Sequence, residues 1–107
     1  MDLTVTGLLP QDELLLQLAE EAAELSQAAI KLRRVMDGRN PTPVGYQMAV
    51  KNLNEEMADV LLCADQISSL DEEQIARTKQ NKLARWMERL RDMRRKEDAR
   101  KSAWPGD

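Results

Sequence analysis

Four carboxylates carry the chemistry this chain could do. Glu21 and Glu24 stand three residues apart inside Leu18-Ala19-Glu20-Glu21-Ala22-Ala23-Glu24-Leu25. Glu56 and Asp59 repeat the spacing inside Glu55-Glu56-Met57-Ala58-Asp59-Val60-Leu61-Leu62. Residues three apart on a helix project from nearly one face, so each motif offers two acids side by side. Two such pairs on facing helices surround a hard divalent cation with oxygen, the shell that Mg²⁺ and Mn²⁺ prefer. An ion of this kind neutralises phosphate charge and lowers the pKa of a bound water. Basic residues opposite it would clamp the remaining phosphates.

The spacing by itself is common on solvated helix faces, so the helical wheel has to decide. At about 100° per residue, Leu14, Leu18, Leu25, Ala28 and Leu32 form one apolar stripe. Glu21 falls near its middle, Glu24 at its edge, and Glu20 elsewhere. A carboxylate within an apolar stripe is costly unless a cation or hydrogen bonds compensate it. In the second motif the broad apolar side is Val50, Leu53, Met57, Val60, Leu61 and Ala64. Glu56 lies within its border and Asp59 just outside, on a flank shared with Asn52 and Cys63. Further on, Ile75, Trp86, Leu90 and Met93 make a stripe, with Lys79 and Lys82 on or beside it and Arg85 flanking it. Salt bridges from Lys79 and Lys82 to the acids are the structural alternative to a cation site.

These faces require long helices. Pro10 followed by acids marks a helix start, and Asp37-Gly38 a stop near Met36. After a loop containing Pro41 and Pro43, Thr42 is a candidate N-cap for a second helix over about 44–68. Ser69-Leu70-Asp71-Glu72 has the spacing of a capping box for a third, whose charged end should fray before Ser102. Residues 1–9 show no pattern and read as a loose extension. The expectation is an all-α antiparallel bundle of three main helices in one domain over 10–98, with a basic, flexible tail over 99–107. A second apolar face on the first helix, Leu16, Ala19, Ala23 and Ile30, calls for a partner, so self-association into a homodimer or homotetramer should complete the bundle.

Composition supports this class and removes others. The chain has 107 residues, 3% aromatic and no Phe, a poor supply for strands. With no His, Ser-His-Asp, Cys-His and zinc-histidine chemistry drop out. One cysteine allows no internal disulfide, no window reaches membrane-span length, and no export signal is visible, so the expected setting is cytoplasmic. Cys63 and Met36, Met48, Met57, Met87 and Met93 read as core filling, as does Trp86. The net charge of −3 conceals a polarity: fourteen acids against five bases up to Ala76, then eleven bases against four acids from Arg77 to Lys101.

Glu20-Glu21-x-x-Glu24-Leu25 followed by Glu55-Glu56-x-x-Asp59-Val60-Leu61 resembles the MazG-like all-α nucleoside triphosphate pyrophosphohydrolases, over roughly residues 13–90. The later Lys79-x-x-Lys82-Leu83-x-Arg85-Trp86 is similar to the basic segment of such proteins. The resemblance implies Mg²⁺-dependent hydrolysis of a (deoxy)nucleoside triphosphate to the monophosphate and pyrophosphate, with Mn²⁺ as a substitute. It implies Glu21, Glu24, Glu56 and Asp59 as metal ligands and catalytic residues, and Lys79, Lys82 and Arg85 as phosphate contacts. A related phosphoribosyl-ATP pyrophosphohydrolase activity uses a similar motif. Tyr46, Trp86, Trp104 and the Pro41–Pro43 loop are the candidates for stacking on a base. A different class, a helical module whose basic third helix binds nucleic acid, lacks a helix-turn-helix signature and interleaved aromatics.

Overall fold

The structure, a computed structural model, describes residues 4–38 and 45–103, and these contain four helices and no strand. The helices are α1 (Val5–Leu8), α2 (Gln11–Asp37), α3 (Tyr46–Asp65) and α4 (Glu72–Ala103). The chain divides into two compact units, Met1–Leu70 and Asp71–Asp107. None of the four helices is long and apolar enough to cross a membrane.

Local chemistry explains most of the boundaries. The α2 segment holds neither Pro nor Gly between its ends and is rich in Ala, Leu and Glu, the strong helix formers. Pro10 is its N-cap rather than its first residue, Asp12 and Glu13 occupy the first turn, and Arg34 the last. Gly38 ends it at φ 71°, a left-handed conformation open to glycine, with its N–H on the Arg34 carbonyl at 2.9 Å. The loose extension expected over residues 1–9 is in part a helical turn: Thr4 caps α1, its hydroxyl accepting from the Gly7 N–H at 3.2 Å. The α3 helix starts at Tyr46, capped by Gly45, two residues later than expected; the Thr42 cap and the Pro41–Pro43 loop lie outside the described residues.

The α2 and α3 helices pack against each other in antiparallel fashion. Their register is fixed where the start of α2 meets the end of α3. The Cys63 thiol donates to the Leu14 carbonyl at 3.4 Å, and Leu14, Cys63 and Ile67 form a buried cluster with Leu18 packed on it. Gln11 ties the same end: its Nε2 donates to the Gln66 carbonyl at 3.1 Å, and its Oε1 accepts from the Ser68 N–H at 2.9 Å and the Ser68 hydroxyl at 3.2 Å. These bonds catch the backbone where the helix gives way to turns, satisfying groups that an α-helix end leaves open. Gln11→Ala is expected to lower the unfolding free energy by about 1 kcal/mol, read as a reduced urea midpoint with an unchanged slope.

On α2 the stripe is as the wheel has it, with Leu14 and Ala28 buried and Leu18, Leu25 and Leu32 half-buried. On α3 the packed face is the expected one only in part. Of its apolar side, Val50, Leu53, Val60 and Ala64 are half-buried but Met57 and Leu61 exposed, while the flank supplies buried Ala49 and Cys63 and half-buried Asn52 and Glu56. The helix therefore turns its acidic flank to its partner and leaves part of its apolar side in solvent.

The α4 helix is 32 residues long and has no buried residue. Its cap is Asp71, whose Oδ1 accepts from the Gln74 N–H at 3.1 Å, in place of the expected Ser69 box. The helix runs to Ala103, past the end expected before Ser102, and ion pairs one turn apart staple its basic end. Asp92 takes Lys96 at 3.1 Å and Arg95 at 3.4 Å, Asp98 takes Arg94 at 3.6 Å, and Glu97 takes Arg100. The Asp92 carboxyl is held below its usual range by its hydrogen bonds to Lys96 and Arg95. Exposed pairs of this kind are individually weak. Trp86, expected in the core, is 58% exposed, and Met36, Met48, Met57, Met87 and Met93 are all exposed. The unit Asp71–Asp107 contains α4 alone among the described residues, so Trp86, Met87 and Met93 have no second layer within it.

Candidate metal centre

The acidic motifs meet in the middle of the α2–α3 pair. Glu21 lies seven residues after Leu14, and Glu56 seven before Cys63. Seven residues are close to two helical turns, so both glutamates stand on the packed seam itself. Seven residues after Glu21 is Ala28 and seven before Glu56 is Ala49, both buried. Small residues there let the two backbones come together beyond the acids, as the leucine and cysteine do before them.

One oxygen from each of Glu21, Glu24, Glu56 and Asp59 lies within 4.8 Å of the others. Glu21 and Glu56 are half-buried, Glu24 and Asp59 exposed, so the cluster has an inner pair and an outer pair that opens to water. The inner pair is under-satisfied: Glu21 Oε2 and Glu56 Oε2 are both shut off from solvent and have no hydrogen-bond partner. Glu21 Oε1 accepts from the Gln17 side-chain amide at 2.7 Å. Glu20 and Glu55 are exposed, and Glu55 pairs with Lys51 at 3.9 Å.

A donor set of this kind fits a hard divalent cation. Ligands across an octahedral Mg²⁺ stand about 4 Å apart and across Ca²⁺ about 5 Å, and four oxygens within 4.8 Å of one another are close enough to share such an ion. Two solvent-free carboxylate oxygens without donors are acceptors that a divalent ion would satisfy. Cys63 is no part of this set. Burial, and then the charge of Glu21, push its thiol up, and its hydrogen goes to the Leu14 carbonyl. It is the small buried hydrophobe the sequence suggested.

The structure thus brings together all four acids singled out by their spacing. Lys79, Lys82 and Arg85 are exposed residues of α4, and the acid cluster is complete within Met1–Leu70 without them. Tyr46 is also exposed, and Trp104 lies outside the described residues. The residue that spacing alone passed over is Gln17. Its signal was available, since an amide four residues before a carboxylate faces it on a helix. Comparison of the chain with protein-family models, with curated proteins and with solved structures returns no match.

Proposed function

We propose that the chain is a Mg²⁺-dependent nucleotide pyrophosphohydrolase that converts a (deoxy)nucleoside triphosphate to the monophosphate and pyrophosphate. The observation that carries the proposal is the meeting of Glu21, Glu24, Glu56 and Asp59, with two solvent-free oxygens lacking donors. These four would hold the ion, Mg²⁺ or Mn²⁺. When bound, it supplies charge neutralisation for the polyphosphate and a water of lowered pKa. The inner pair, Glu21 and Glu56, anchors from within the seam, while the exposed Glu24 and Asp59 form the rim that substrate meets. Phosphate contacts are assigned to Lys79, Lys82 and Arg85, whose charge suits them to it.

The architecture proposed with this function is a three-helix antiparallel bundle completed by a second copy, as a homodimer or homotetramer. Supporting it are Leu16 and Ile30 on the far side of α2, 55% and 49% exposed. A panel of nucleoside triphosphates assayed for pyrophosphate release with Mg²⁺ tests the reaction. Glu21→Gln and Asp59→Asn are each expected to lower turnover at least about 100-fold with the helical circular dichroism unchanged. Turnover retained in both variants overturns the proposal.

A second reading draws on α4, whose eleven bases between Arg77 and Lys101 are all exposed. It would bind nucleic acid through phosphate contacts, with an affinity that falls steeply with salt. Absence of binding at low salt ends that reading and leaves the hydrolase.

A further inference from the structure

Gln17 sits one turn before Glu21 on α2, and its Nε2 donates to Glu21 Oε1 at 2.7 Å. The other oxygen of the same carboxylate, Oε2, is solvent-free and has no donor. We infer that Gln17 is a positioning residue for the metal centre, holding Glu21 Oε1 so that Oε2 is presented to the cation. The inference rests on the metal-centre reading above.

The terminal torsion of a glutamate is broad and roughly two-fold, so an untethered carboxylate can present either edge. A donor on Oε1 removes that freedom before any ion arrives. The donor is neutral, which matters in a cluster of four acids: an Arg or Lys here would cancel charge that draws the cation in. The second motif has an amide at the same offset, Asn52 before Glu56. Its side chain is one methylene shorter, and no hydrogen bond ties it to Glu56 among the described residues. The two inner ligands are therefore unlike: Glu21 is held, and Glu56 is left to adjust to the ion.

Loss of a group that orients a metal ligand lowers metal affinity about 10- to 100-fold. The test is Mn²⁺ binding to the full chain, followed by the paramagnetic resonance signal of the free ion. Gln17→Met keeps length and helix propensity but has no amide. The control is Gln27→Met, which alters an exposed glutamine of the same helix. Gln17→Met is expected to weaken Mn²⁺ binding about 10-fold while the metal-free melting temperature stays within about 2 °C of the parent; Gln27→Met is expected to change neither. Unaltered affinity in Gln17→Met overturns the inference, as does weakened binding matched by an equal loss in metal-free stability, which returns Gln17 to a structural role. If the parent chain itself leaves Mn²⁺ free, the metal-centre reading has failed, a result distinct from either.

Discussion

Glu56→Gln is expected to melt above the parent in the presence of a chelator and below it in excess Mg²⁺. Without an ion, Glu56 Oε2 is buried without a donor and close to three other acids. A buried acceptor left without a donor costs about 1–3 kcal/mol, part of which the neutral amide recovers. In a unit of this size each kcal/mol moves the midpoint by about 4–8 °C. The substituted amide can also donate to Glu21. With Mg²⁺ at a hundred times its dissociation constant, the parent gains about 2.7 kcal/mol, which the variant forfeits. The two melting curves should therefore cross as Mg²⁺ is added. Parallel curves in calorimetry, with the same Mg²⁺ shift in parent and variant, would show that the acids hold no ion.

Leu14→Ala should be the most damaging single change in the chain. Leu14 is 2% exposed and is one of five buried apolar residues among those described, with Ala28, Ala49, Cys63 and Ile67. Among these only Leu14 and Ile67 are large. Truncating a buried leucine costs about 2–5 kcal/mol, a large share of the stability of a small domain. Its removal also takes the packing from beside the Cys63 thiol and weakens the α2–α3 register two turns from Glu21. Chemical denaturation should show a loss of at least about 2 kcal/mol. The Mg²⁺ dependence of melting should survive in whatever fraction still folds, because the four carboxylates are untouched. A loss below about 1 kcal/mol would mean that the cluster around Leu14 does not carry the pairing of α2 with α3.

Much of this was legible in the sequence. Glu21 could be placed on the buried side because Leu14, Leu18, Leu25, Ala28 and Leu32 recur around it at helical spacing, a larger stripe than the second apolar face opposite. The second motif was harder. Counting apolar residues on the α3 wheel favours Met57 and Leu61, yet the partner helix selects the flank with Glu56 and Cys63, since that flank completes the cluster and admits close approach at Ala49. A single-helix wheel contains no information about its partner. For the same reason Trp86 read as core: the α4 wheel says nothing of what covers its stripe, and within its own unit α4 has no second helix among the described residues. Thr4 announced α1 only weakly, because Thr4-x-x-Gly7 lacks the acid that completes a capping box.

The seven-residue step from Leu14 to Glu21 to Ala28, met by Ala49, Glu56 and Cys63, also governs how the two helices find each other. Sliding one helix by two turns would keep a heptad pattern but set Glu21 against Cys63 in one direction, or Glu56 against Leu14 in the other. Either mismatch isolates a carboxylate in an apolar layer and separates it from its fellow acids. A lone polar layer in a helical seam is a known way of dictating alignment at the expense of stability. The same charges that would receive a cation thus make one pairing of α2 and α3 singular, and an ion arriving during folding would select that alignment over its neighbours.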